Sequence, residues 1–164
     1  MDPKAETDAF WARFRAACPE APAQYHRPLR FGDGDAALAD DLAALVVDGP
    51  KRATTSMLRD FETGREPVFP APGMLWMMAD GRFAPRCVVR TTAVEVRAFD
   101  DVDAAFAWDE GEGDRSLAWW RAAHIRFFSR RAAADGIVFD GRTKVVLERF
   151  EVVWPLSDGP RPSA

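Results

Sequence analysis

The chain has 164 residues, 48% apolar and 29% charged, with twelve phenylalanines and six tryptophans. That composition fills one core, is short for two comfortable domains, and excludes a disordered polymer. A formal charge of −4 excludes a protein built to grip a long stretch of phosphate backbone, because that affinity comes from neutralising phosphates with basic side chains. A short or single-stranded nucleic acid met at a local pocket, or a smaller ligand, fits the charge better.

Residues 7–18 place Trp11, Phe14 and Ala17 on one helical stripe, with Thr7 or Asp8 as N-cap. Prolines between 19 and 28 break that helix. Asp33-Gly34-Asp35 leads into a second helix, about 35–47, carrying Leu38, Leu42 and Leu45 and closed by Gly49-Pro50. After Lys51-Arg52-Ala53-Thr54-Thr55-Ser56 a short helix is expected over 55–62, then a rigid loop with Pro67, Pro70 and Pro72.

The period then changes. Met74–Met78, the turn signal Asp80-Gly81, and the Val- and Thr-rich run Ala84–Phe99 read as a β-hairpin. Cys87 and Val89 have one parity and Val94, Val96 and Ala98 the other, which predicts a bulge or kink near Thr91–Ala93. Residues 101–109 form a short helix, Glu110–Asp114 an acidic loop with two glycines, and Ser116 to about Ala134 a long helix. Leu117, Trp120, His124 and Phe127 lie on its inner stripe, and Asp114 is expected to cap it. Lys144–Trp154 is a final strand and residues 155–164 a flexible tail. The elements add up to an α+β domain on a mixed or antiparallel sheet, with the kinked strands favouring a small barrel.

Cys18 and Cys87 cannot make a disulfide framework, and no Cys-x-x-Cys pair points to zinc. Met1–Glu6 has neither a basic nor an apolar leader segment, and no apolar run approaches the roughly 20 residues of a membrane span, so a cytoplasmic protein is expected. No metal and no cofactor are expected.

Four constellations could carry chemistry. In Gly49-Pro50-Lys51-Arg52-Ala53-Thr54-Thr55-Ser56 the P-loop spacing is absent, but a chain turning into a helix would bring Lys51 and Thr54 together beside open backbone N–H groups. Lys4, Lys51 and Lys144 are the only lysines among 22 basic residues, and lysine, unlike arginine, can lose its proton when desolvated. The bland reading is a solvated cation beside an ordinary cap. In Asp109–Ser116 the EF-hand pattern fails, and a carboxylate of this loop could pair with Lys51. Arg121 and His124 follow Trp119-Trp120 on the long helix: an anion contact beside aromatic rings, or a core stripe. Glu148 shares parity with Val146, Phe150, Val152 and Trp154, and so sits on an inner face, where an arginine partner is the simpler expectation.

These segments together resemble the ASCH domain family, within its bacterial YhfF-like branch. The resemblance runs through 49–56, Pro72-Gly73 to Asp80-Gly81, Pro85–Val89 with Thr91-Thr92, Phe99–Val102, 110–128 and Glu148-Arg149-Phe150. It implies a PUA-like β-barrel flanked by helices over residues 30–154, with residues 1–29 a helical extension packed on it. It also implies an RNA, nucleoside or nucleotide partner, and a Lys/Thr/Glu cleft that in some members hydrolyses RNA or deacylates a modified cytidine. That set maps onto Lys51, Thr54 and a glutamate, with Glu112 favoured over Glu110. Arg52, Thr55, Ser56, Glu110, Arg115, Arg121 and His124 form the expected binding surround.

Two functions are therefore in play. One is a hydrolase with Thr54 as nucleophile, Lys51 as base or charge stabiliser and Glu112 positioning it. A carboxylate close to Lys51 would oppose the fall in pKa that a base needs. The other is a non-catalytic RNA- or nucleotide-binding module in which Lys51, Arg52, Arg121 and Ser56 meet phosphate and a tryptophan stacks on a base.

Overall fold

The computed structural model describes residues 3–32 and 34–155. Asp33 and all of the expected tail except Pro155 lie outside them. In chain order the elements are α1 (Pro3–Ala17), α2 (Ala36–Val47), β1 (Ala53–Met57), α3 (Leu58–Glu62), β2 (Leu75–Ala79) and β3 (Pro85–Ala98). A 3-10 turn (Phe99–Asp101), α4 (Ala104–Glu110), α5 (Leu117–Ala134) and β4 (Lys144–Trp154) follow. The fold class is α+β, and the four strands form one curled antiparallel half-barrel sheet in the order β1-β4-β3-β2.

The chain divides into two compact units that do not follow sequence order. The first takes Met1–Gly49, Leu75–Arg90 and Glu151–Ala164. Here α1 begins at Pro3, earlier than expected: proline lacks an N–H that the first turn would leave unbonded anyway. Thr7 and Asp8, the two expected caps, both lie inside the helix, and Thr7 donates its hydroxyl to the Pro3 carbonyl. Phe10, Trp11 and Phe14 pack with Met77 and Val88. Asp35 caps α2 by accepting from the Leu38 N–H.

The β2–β3 hairpin turns at Asp80, whose carboxylate accepts from the N–H groups of Arg82 and Ala84. Cys87, Val88 and Val89 are all buried, so this part of β3 is covered on both faces and has no inner face to switch. The register between β2 and β3 shifts at Met78/Ala79.

The second unit takes Pro50–Met74 and Thr91–Phe150. Ala53, Met57, Phe99, Phe106, Trp120, Phe128, Val145 and Leu147 form its core, with Trp120 stacked on Phe99. Strand β1 runs antiparallel to β4, with Ala53 opposite Arg149 and Met57 opposite Val145. The expected helix over 55–62 is therefore split. Ala53–Met57 is strand, where the branched Thr54 and Thr55 sit comfortably, and only Leu58–Glu62 is helix. Ser116, not Asp114, caps α5: its hydroxyl accepts from the Trp119 N–H, while Asp114 accepts from the Ser116 N–H.

Candidate functional site

A buried cluster of charges lies in the second unit, and three short segments build it. Lys51 precedes β1 and is held by backbone bonds on its neighbour: Arg52 N–H donates to the Asp109 carbonyl, and Phe150 N–H donates to the Arg52 carbonyl. Glu110 is the last residue of α4. Glu112 follows across Gly111, which has φ +69 and lies so close to Pro50 and Lys51 that an added Cβ would sit 2.6 Å from the Pro50 carbonyl carbon. Only glycine accepts both the left-handed backbone and that approach. Gly113 (φ +55) does the same against the Trp119 ring. These two glycines let the acidic loop fold down onto Lys51.

The Lys51 side chain is 1% exposed. Its ammonium donates to Glu112 Oε1 at 2.5 Å, to Glu110 Oε2 at 3.3 Å and to the Glu110 main-chain carbonyl at 3.5 Å. Glu110 is equally buried, and its Oε1 accepts from the Thr55 hydroxyl and from the Trp120 indole N–H at 2.9 Å. His124 Nε2 lies 3.5 Å from the same oxygen. His124 Nδ1 is 2.9 Å from the Trp120 carbonyl, which can only accept, so that nitrogen is the donor. Glu112 is the rim of the cluster, with its side chain 19% exposed.

The electrostatics follow from this packing. Burial is the strongest single influence on Lys51 and pulls its pKa down, but the charges and hydrogen bonds of Glu110 and Glu112 together outweigh it. The ammonium is held above the ordinary lysine range. Burial pushes the Glu110 carboxyl up, yet Lys51, His124, Thr55 and Trp120 together bring it below the ordinary carboxylate value. Lys51 is thus locked as a cation, the opposite of what a general base requires. One ammonium faces two carboxylates, so the charge of Lys51 is matched within the cluster itself.

The expectation that Lys51 and Thr54 converge at a helix start is corrected by the strand at 53–57. In an extended chain Lys51, Ala53 and Thr55 share parity, and it is Thr55 that reaches Glu110. Thr54 and Ser56 fall on the other parity, with Thr54 opposite Glu148 and Ser56 opposite Val146.

The family model for the ASCH domain matches residues 28–154. The chain belongs to the ASCH domain family. Among solved structures it resembles an ASCH domain from Lactobacillus crispatus JV V101, at 30% identity and a TM-score of 0.78, over 90% of this chain and 94% of that one. It also resembles a protein of the DUF984 family from Enterococcus faecalis V583, at 32% identity and a TM-score of 0.81, over 91% and 88%. No curated protein matches the chain. ASCH domains are PUA-like folds and generally bind RNA.

In this ASCH domain the remaining expected binding residues are spread more widely. Arg52 donates through Nη1 to the Lys51 carbonyl. Arg121 donates to the Asp100 carbonyl through Nη2, and its buried Nε has no hydrogen-bond partner among the described residues. Arg115 sits over the Trp108 ring, 3.8 Å from its centroid. Glu148 accepts from the Thr91 hydroxyl at 2.5 Å. Neither the tie from Trp120 to Glu110 nor the exposure of Trp108 follows from helical periodicity. The spacing of four between Lys51 and Thr55 was the available signal for the first part of the network. No helix among the described residues is long and apolar enough to cross a membrane.

Proposed function

We propose that this chain is an RNA- or nucleotide-binding module in which the Lys51–Glu110–Glu112 cluster shapes the ligand-facing loop instead of transferring protons. Membership of a generally RNA-binding family supports the ligand class. The observation that carries the rest is the state of Lys51: buried, cationic, and with its N–H donors already directed at Glu110 and Glu112. Phosphate is then met by arginines, with Arg52, Arg115 and Arg121 the expected contacts. The test is binding of a short single-stranded oligoribonucleotide as salt is raised. With two or three phosphate contacts, log affinity should fall with log salt at a slope of about −1.5 to −2. Absence of binding, or binding indifferent to salt, contradicts the reading.

One observation favours hydrolysis as a second reading. A carboxylate, an ammonium and a hydroxyl meet in one network, as they do around activated nucleophiles. In that reading the hydroxyl in place as nucleophile is that of Thr55, not the expected Thr54, while Lys51 stabilises charge and Glu112 positions Lys51. Turnover of acylated cytidines and short RNAs by wild type and by Lys51→Ala decides it. Product formed at equal rates by both, or by neither, ends the hydrolytic proposal.

A further inference from the structure

We infer that the indole of Trp108, with Arg115 over it, is a stacking platform for an unpaired base of single-stranded RNA. The inference rests on the RNA-binding reading above and adds to it a place and a mode of recognition. On α4, Phe106 and Ala107 are buried, while the next residue, Trp108, is 55% exposed even with a guanidinium over its ring. Burying such a ring inside the core would be favourable, and this one is turned to solvent instead.

Arg115 makes the arrangement specific. It is one of two non-glycine residues with positive φ among those described, at +64°. The loop adopts left-handed backbone at 111, 113 and 115, and uses glycine at the first two. Glycine would be easier at the third as well. What the arginine adds is the 3.8 Å approach to the indole and an Nε–H donated to the Trp108 carbonyl at 3.0 Å.

Two more arginines border the adjoining residue: the Arg52 main-chain N–H bonds the Asp109 carbonyl, and the Arg149 guanidinium pairs with Asp109 at 2.8 Å and with Glu95 at 3.4 Å. An exposed ring with the Arg115 guanidinium over it suits a base and a flanking phosphate. Every base offers a π face, so such stacking tolerates sequence. Because Glu112 ties the same loop to Lys51, the platform is held in place before any ligand arrives. In a chain of net charge −4, a local arginine cluster suits a short strand better than a long one.

The experiment is fluorescence anisotropy with a labelled ten-nucleotide single-stranded oligoribonucleotide, repeated with a strand of equal length carrying abasic sites. Wild type is compared with Trp108→Ala, Trp108→Phe and Arg115→Gly. Trp108→Ala should weaken binding to the base-bearing strand about tenfold, within the roughly 5- to 150-fold worth of one stacked base. Trp108→Phe should restore most of it. Arg115→Gly should weaken binding while leaving the melting temperature unchanged or raised, since glycine relieves the backbone strain. Wild type should bind the abasic strand no better than Trp108→Ala binds the intact one. If wild type binds RNA and Trp108→Ala binds equally well, the platform is overturned while the RNA-binding reading stands. If wild type binds neither strand, both fall.

Discussion

The loop at 111–115 and the hairpin turn at 80–84 share an odd local feature and differ in what lies beneath it. Each contains a non-glycine residue in the left-handed region, Arg115 at φ +64 and Phe83 at φ +62. Each sets an arginine against an exposed ring, Arg115 over Trp108 and Arg30 over Phe83. At 80–84 the Asp80 carboxylate accepts from two backbone N–H groups of its own turn and pairs with Arg86, while Asp40 on α2 accepts from the Gly81 N–H. At 111–115 the support is a buried ion cluster reaching into three other elements: Lys51 before β1, Thr55 on β1 and Trp120 on α5. Strain alone therefore marks no site. Strain braced by an ammonium between two carboxylates sets one loop apart from a turn braced by single carboxylates.

Removing the supports should separate the two most sharply. Lys51→Met leaves two carboxylates facing each other in a buried space and should cost about 3–5 kcal/mol in denaturant unfolding. Asp80→Ala loses hydrogen bonds to backbone amides and should cost about 1–3 kcal/mol. Equal losses would erase the distinction. Next come the glycines. Gly111→Ala combines a left-handed backbone with a Cβ 2.6 Å from the Pro50 carbonyl carbon. Gly81→Ala meets the Ala36 carbonyl oxygen at 2.2 Å without unfavourable φ. Both should lower the melting temperature, and only the first should also loosen the Lys51 cluster and so weaken RNA binding.

The pH dependence of stability sharpens the comparison further. Glu110 has a depressed folded pKa, so its contribution is present above the unfolded value of about 4.3 and is lost as pH falls through the folded value. Lys51 has a raised folded pKa, so its contribution is full below about 10.4 and is lost as pH rises through the folded value. Unfolding free energy against pH should show both limbs in wild type, and Lys51→Met should remove the alkaline one. An unchanged alkaline limb in that variant would contradict the assignment.

The smallest contrast lies within β1. Thr55→Val deprives a buried carboxylate of a donor and should cost about 1–3 kcal/mol, whereas Thr54→Val should stay within about 0.5 kcal/mol.

These contrasts also show what could be read in advance. Helix α2, the long α5, the hairpin at Asp80-Gly81 and β4 were legible because their periodicity and turn residues agree with their surroundings. Helix α1 extends to Pro3 because proline suits the first turn, a signal present but outweighed by the nearer Thr7. The segment 51–57 misled for a different reason: pairing Lys51 with Thr54 needs a turn, while the neighbouring threonines favour strand, and strand parity selects Thr55. Glu112 reaching Lys51 was anticipated. That Glu110 would also do so was not, because Glu110 closes α4 instead of opening the loop, which turns its carboxylate inward against Trp120.

The support of the 111–115 loop depends most on the charge of Lys51, and the scarcity of lysine makes that measurable. With Lys4 and Lys144 as the only other lysines, NMR of 13C-labelled lysine yields three side-chain signals, and Lys51→Met assigns the relevant one. A Lys51 signal that titrates above the ordinary lysine value of about 10.4 is the expected result. A midpoint near neutrality would show a lysine able to give up its proton, and would contradict a cluster that holds the loop by a fixed cation.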